Sequence, residues 1–190
     1  ILTLWSETGV WVLGVYFKLQ SFVFMPVFSI NNGLISIISY NCGAGERRRV
    51  TDAIRFGLIT ALATALTGAA VLWLCASPLL SVCFHAGAQA MALGVPSLRM
   101  TALSFPIAAV CLILSAAFQS LGRSSSSLLI ALLRQIILLL PTALVLVLLR
   151  PEWTFLAFPA AEAGACVVTL LLYRGLYRTR ISSIGKPSPA

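Results

Sequence analysis

Residues 39–49 read SYNCGAGERRR: a run of small residues containing Gly43 and Gly45, followed directly by three consecutive arginines. Long apolar stretches lie on both sides of it. The densest charge in the chain therefore marks a boundary, the place where the polypeptide leaves one apolar environment before entering the next.

The surrounding composition says what that environment is. Of 190 residues, 59% are hydrophobic and only 9% charged, and the mean hydropathy is +1.00, whereas a soluble domain carries about 25% charged residues. A water-soluble fold of this length has too little interior to hide so much apolar surface. The chain is read as membrane-embedded. The net charge of +8 does not point to nucleic acid, because the basic residues are scattered between apolar runs and form no stripe with interleaved aromatics. A membrane surface accounts for them. Cys42, Cys75, Cys83, Cys111 and Cys166 are odd in number, lack metal-ligand spacing and read as small hydrophobes; His85 stands alone.

Cut at its polar clusters, the chain yields five stretches near the length of about 20 residues that a spanning helix needs. They run over 10–40, 53–84, 92–121, 125–149 and 155–177. Pro26 and the Asn31-Asn32-Gly33 triplet are expected to interrupt the first. Lipid tolerates no unpaired backbone, and the stretches are too long and too weakly alternating for barrel strands. The predicted fold class is all-α: a polytopic membrane helix bundle of about five transmembrane helices. Residues 179–190, basic and then rich in serine and proline, are expected to form a disordered tail. The first residues show no signal-peptide pattern.

Alternating spans collect Arg47, Arg48, Arg49, Arg55, Arg123, Arg174, Arg178, Arg180 and Lys186 on one side, and leave Arg150 on the other. The positive-inside rule places the Arg47–Arg49 loop and the C-terminus in the cytoplasm. An odd number of spans then puts Ile1 outside, so the chain is expected to be part of a longer protein whose earlier spans precede it.

Polar residues inside the spans are the functional candidates. Lys18 and Gln20 fall about 10 residues into the first span, roughly 15 Å deep and near the midplane of a core about 30 Å thick. A lysine there costs at least about 2.5 kcal/mol unless it faces protein or water. It either lines a pathway, snorkels, or pairs with a carboxylate from an earlier span. Arg134 and Gln135 repeat the pattern in the fourth span, ahead of Pro141; Arg134 reads equally as a pathway residue or as a cytoplasmic-side anchor. Glu162, after Pro159, is the one acidic residue placed inside a span. It suits either a proton or sodium site, or an interhelical ion pair. The small residues of ALATALTGAA and AAEAGAC offer faces for close helix packing.

Three blocks carry a resemblance: GVYFKLQSFVFMPVFSINNGLISIISYNCGAGERRRV, FQSLGRSSSSLLIALLRQIILLLP and WTFLAFPAAE. Over nearly all of residues 8–178 the chain resembles the second half of a multidrug and toxic compound extrusion (MATE) transporter. The resemblance implies that residues 1–178 form part of the C-terminal lobe of a two-lobe, twelve-helix carrier, helices eight to twelve, with helix seven and the first lobe absent. It also implies a cation-coupled antiporter of the plasma (inner) membrane. Such a carrier uses sodium or protons, needs no cofactor, and exports organic, often cationic, compounds by alternating access.

The wall contributed by this chain would include Lys18, Gln20, Asn31, Asn32, Arg134 and Gln135, with Glu162 as a possible ion or proton site and Pro26, Pro141 and Pro159 as bending points. Asn31 and Asn32, with Ser29, stand where relatives often carry glycine or glutamine. The expected partners are a small organic substrate, membrane lipid and the missing lobe, without nucleic acid or resident metal. The alternative is a flippase of the same superfamily for lipid-linked sugars. An intramembrane enzyme is disfavoured, since no Ser/His, paired-Asp or H-E-x-x-H arrangement occurs in the spans. By itself, without the rest of the carrier, the chain is expected to be inactive.

Overall fold

Unbroken helix is the cheapest answer to a bilayer, because it satisfies every backbone group internally. The computed structural model describes residues 7–185. In it the first helix, α1, runs Glu7–Gly43 through both Pro26 and the Asn31-Asn32-Gly33 triplet, so the interruption expected there is absent. One missing proline N–H costs less than opening the backbone to lipid. At 37 residues, α1 is about 55 Å long at about 1.5 Å per residue, well beyond a core of about 30 Å.

The turn that follows explains SYNCGAGERRR. Gly45 has φ +75, the left-handed conformation that glycine adopts without steric penalty. The amides of Gly45 and Glu46 donate to the carbonyls of Cys42 (3.1 Å) and Asn41 (2.9 Å), a Schellman cap. Helix α2, Arg47–Leu74, then returns antiparallel. FQSLGR repeats the device: Gly122 has φ +73, and the amides of Gly122 and Arg123 donate to Gln119 (3.2 Å) and Phe118 (2.8 Å).

The second span ends at Leu74, not at residue 84. After it come a single turn, α3 (Ala76–Pro78), and a wide π turn, Leu79–Cys83. The apolar character of that segment serves packing: Leu80 is wholly buried and fills the space over Gly94, where a Cβ would lie 2.8 Å from its Cδ1. The third span is two helices, α4 (Ala88–Ala102) and α5 (Ser104–Ser120), parted at Leu103. Pro106 has no N–H for the Ala102 carbonyl, and the Ser104 hydroxyl donates to the neighbouring Thr101 carbonyl at 2.6 Å.

The fourth stretch is α6 (Ser124–Leu132), a π segment (Leu133–Leu138) and α7 (Leu139–Leu149). The widening precedes Pro141, which lies inside α7 and leaves one carbonyl of the previous turn without an α-helical partner; the helix adjusts and does not break. A 3-10 stretch, Pro151–Leu156, leads into α8, Ala157–Thr179. Pro159 falls in the first turn of α8, where a missing N–H costs nothing, so it is no bend within the helix.

Five helical stretches are long and apolar enough to cross a bilayer: Glu7–Gly43, Arg47–Leu74, Ala88–Ser120, Ser124–Leu149 and Trp153–Ser183. Among the described residues there is no strand. α5 is the axis of the bundle, packed on α1, α2, α6 and α8, with Phe105, Ile113, Leu114 and Phe118 fully buried. α6 and α7 are peripheral and largely exposed.

The expected tail disorder does not extend to its first residues. Ile181–Ser183 forms a 3-10 turn, Ile181 is completely buried, and Gly185 (φ +76) touches Gly45. Ile1 and Lys186 lie outside the described residues.

Candidate functional site

Depth follows from helix register. Gly57 on α2 receives Leu34 of α1, and Gly68 receives Val23, so the two helices run antiparallel with Trp73 opposite Lys18. Lys18 is therefore about 38 Å from the Gly43 end of α1 at about 1.5 Å per residue. It is exposed on the described helices, and it stands level with the Trp73 end of α2. Gln20 lies half a turn closer to Gly43.

Level with the Tyr16–Phe24 stretch of α1, the structure brings Arg134 and Glu162 together. Nε donates to Oε2 at 2.8 Å and Nη2 to Oε1 at 2.7 Å. The two side chains are 11% and 14% exposed. The π segment carries Arg134 inward from the peripheral helix, and α8 presents Glu162 just past Pro159. Of the alternatives open for these residues, the geometry is that of an interhelical ion pair. Tyr16 and Cys111, both buried, lie in the same neighbourhood.

Beside the pair, a pocket of about 430 Å³ opens between α1 and the π segment. Gln20, Arg134 and Gln135 line it, so three of the expected pathway residues share one wall space. Phe17, Phe24 and Phe28 supply an aromatic side, with Phe24 stacked edge-on to Phe105 at 5.3 Å between centroids. Such a pocket can take a flat or branched apolar body and offer amide and guanidinium groups to its polar end. Lys18, Asn31 and Asn32 do not line it. Asn31 is half-buried with its Oδ1 shielded from solvent and lacking a hydrogen-bond partner, while Asn32 is exposed.

Several polar features were missed by the sequence reading. Arg99 donates from Nε to the Trp73 carbonyl at 3.1 Å and lies 5.2 Å from that indole centroid. An arginine inside the expected third span was the available signal. Ser127 on α6 joins Ser115 (2.6 Å) and Gln119 (2.9 Å) of α5. At the arginine-rich end, Arg47 reaches the Tyr177 hydroxyl at 3.3 Å and closes α2 against α8.

The fold is thus a bundle of helices long and apolar enough to cross a membrane, with a polar pair beside an amphipathic pocket. The MatE family model matches residues 1–153, and the chain belongs to that family, one of membrane transporters and not of enzymes. The fold agrees with an inward-facing multidrug resistance MATE family transporter of the MOP superfamily at a TM-score of 0.87, with 19% identity, covering 99% of this chain and 43% of that one. An outward-facing structure of such a transporter matches at 0.86, with 20% identity, covering 98% and 41%. A MOP superfamily transporter from Pyrococcus furiosus Vc1, described as having a binding pocket of reverse polarity that suggests a different function, matches at 0.84, with 19% identity, covering 95% and 40%. The chain thus spans less than half the length of the solved transporters it resembles. No curated protein matches the sequence.

Proposed function

We propose that the intact protein is a cation-coupled antiporter that exports amphipathic organic compounds by alternating access, with sodium or protons as the coupling ion. The reading carries with it a plasma (inner) membrane location, with the Arg47–Arg49 loop and the Thr179 end of α8 in the cytoplasm, as the arginine distribution suggests.

The observation that carries it is the pocket in which Phe17, Phe24 and Phe28 face Gln20, Gln135 and Arg134. The aromatic side suits an apolar body, and the Arg134 charge is already balanced by Glu162. The pocket wall therefore does not repel an organic cation as a free arginine would. The same balance counts against a lipid-linked sugar, whose pyrophosphate calls for unpaired arginines. Glu162 is the coupling candidate: a proton or sodium ion on its carboxylate competes with Arg134. Loss of the pair loosens the contact between the π segment and α8. Each ligand then shifts the two lobe arrangements by its differential affinity alone.

The test is ethidium efflux from cells expressing the full-length protein, with the sodium and proton gradients collapsed separately. Export that stops with one gradient supports the antiporter and names its ion. Absence of efflux from a correctly inserted protein overturns the reading.

A further inference from the structure

Away from that pocket, α2 and the α4–α5 joint enclose a second concavity of about 440 Å³ that opens at the surface of the described helices. Its α2 wall is Leu66, Ala69, Ala70 and Trp73, at spacings i, i+3, i+4 and i+7, and its other wall includes Leu103 and Pro106. The alanines make the groove by leaving room between larger neighbours. Leu66 (51% exposed), Trp73 (49%) and Leu103 (59%) show that it opens outward. From Leu66 to Leu74 it runs about 12 Å along the helix axis at about 1.5 Å per residue.

Arg99 lies beside the Trp73 end of the groove, one helical turn before Leu103 on α4. The Trp73 carbonyl is one of the unpaired acceptors at the end of α2, and it takes the Arg99 Nε–H at 3.1 Å while the guanidinium lies over the indole. That contact holds the guanidinium in place and uses only one of its donors. Among the described residues the ion pairs are Arg48–Asp52 and Arg134–Glu162, so no carboxylate balances Arg99. A tryptophan and an arginine at this level, near the end of a spanning helix, sit where lipid headgroups begin.

We infer that this groove is a phospholipid site: an acyl chain lies along Leu66, Ala69, Ala70 and Leu103, and the headgroup phosphate accepts hydrogen bonds from the free N–H groups of Arg99. Phosphate matches the planar guanidinium fork. Because no carboxylate among the described residues balances Arg99, a lipid of net negative charge, such as phosphatidylglycerol, is preferred over a zwitterionic one. The site belongs to the leaflet opposite the Arg47–Arg49 loop.

The full-length protein, reconstituted in vesicles containing either brominated phosphatidylglycerol or brominated phosphatidylcholine, tests this. The fluorescence lost by the protein but not by its Trp73→Phe variant reports lipid at Trp73. The anionic lipid should occupy the site about fivefold more readily, the size expected of one basic residue near a membrane surface. Arg99→Gln should abolish that preference. An Ala69→Leu, Ala70→Leu double variant, which fills the groove and leaves Arg99 in place, should reduce quenching by both lipids. Equal quenching of the unmodified protein by the two lipids means ordinary boundary lipid and overturns the site. So does a preference that survives Arg99→Gln, or that is undiminished when the groove is filled.

Discussion

Arg134 and Glu162 face each other in a two-point ion pair, Nε to Oε2 at 2.8 Å and Nη2 to Oε1 at 2.7 Å, between a peripheral helix and α8. Neither residue alone tolerates this depth. An arginine inside a span is expensive, and so is a carboxylate removed from water without a partner. The pair fastens the otherwise exposed Ser124–Leu149 stretch to the bundle.

Removing one member leaves the other charged and nearly buried, so Glu162→Ala should lower stability by about 3 kcal/mol or more. A Glu162→Met, Arg134→Leu double substitution should recover most of that loss, because it removes both charges together. Thermal unfolding of the detergent-solubilised variants separates the outcomes. A double variant no more stable than Glu162→Ala would mean that the pair does more than neutralise charge. If Glu162 also couples transport, the recovered double variant remains unable to drive efflux, so stability and activity part company.

The α1–α2 interface depends on two missing side chains. A Cβ at Gly68 would lie 2.2 Å from Val23 Cγ1, and one at Gly57 would lie 2.2 Å from Leu34 Cδ1. Valine is stiff at χ1, so it cannot swing clear as leucine can. Gly68→Ala should therefore cost about 1–3 kcal/mol by overpacking. Adding Val23→Ala should restore much of it. Melting temperatures of the single and double variants decide the matter, and equal loss in both would disprove the contact as the cause.

These particulars show what the residues disclose before folding. Hydropathy alone outlined the spans, and the small-residue run with Gly43 and Gly45 was legible as a boundary, whereas the left-handed glycines Gly45 and Gly122 that close the helices are seen only in the structure. The division at Leu103 was not read, although Pro106 supplies its cause, since the surrounding run is apolar enough to pass as one span. Leu79–Cys83 looked like lipid-facing helix because packing on Gly94 and packing on lipid favour the same residues. The Arg134–Glu162 pairing was open as one of two roles and no more. Two charges 28 positions apart meet only if α8 and the π segment are rotated toward each other, and neither helix records the rotation of the other.

The first residues past α8 make, besides the burial of Ile181, one close backbone contact with the α1–α2 turn. A Cβ on Gly185 would stand 2.7 Å from the Gly45 carbonyl oxygen, and its φ of +76 is already unfavourable for other residues. Gly185→Ala should release residues 181–185 from α2. Hydrogen exchange of the Ile181–Ser183 amides should rise toward that of free chain, while exchange in α1 and α2 stays unchanged. The left-handed strain itself is about 1–2 kcal/mol, enough to undo a single 3-10 turn but not a spanning helix. Unchanged protection in the variant would show that burial of Ile181 suffices by itself.

Asn31 and Lys18 sit on the same helix at different depths, and the difference separates stability from transport. Asn31 lies about 18 Å from the Gly43 end of α1 at about 1.5 Å per residue, near mid-depth, and its Oδ1 is buried without a partner. A buried acceptor left unpaired costs about 1–3 kcal/mol, so Asn31→Leu should raise the unfolding temperature. Lys18 is exposed, level with Trp73, so Lys18→Met should leave it nearly unchanged. If the mid-depth face of α1 touches substrate, Asn31→Leu loses ethidium efflux in spite of its greater stability, whereas Lys18→Met keeps it. A stabilised Asn31→Leu protein with full efflux would remove Asn31 from the pathway. Loss of efflux in Lys18→Met at normal expression would show that the end of α1 level with Trp73 takes part in transport.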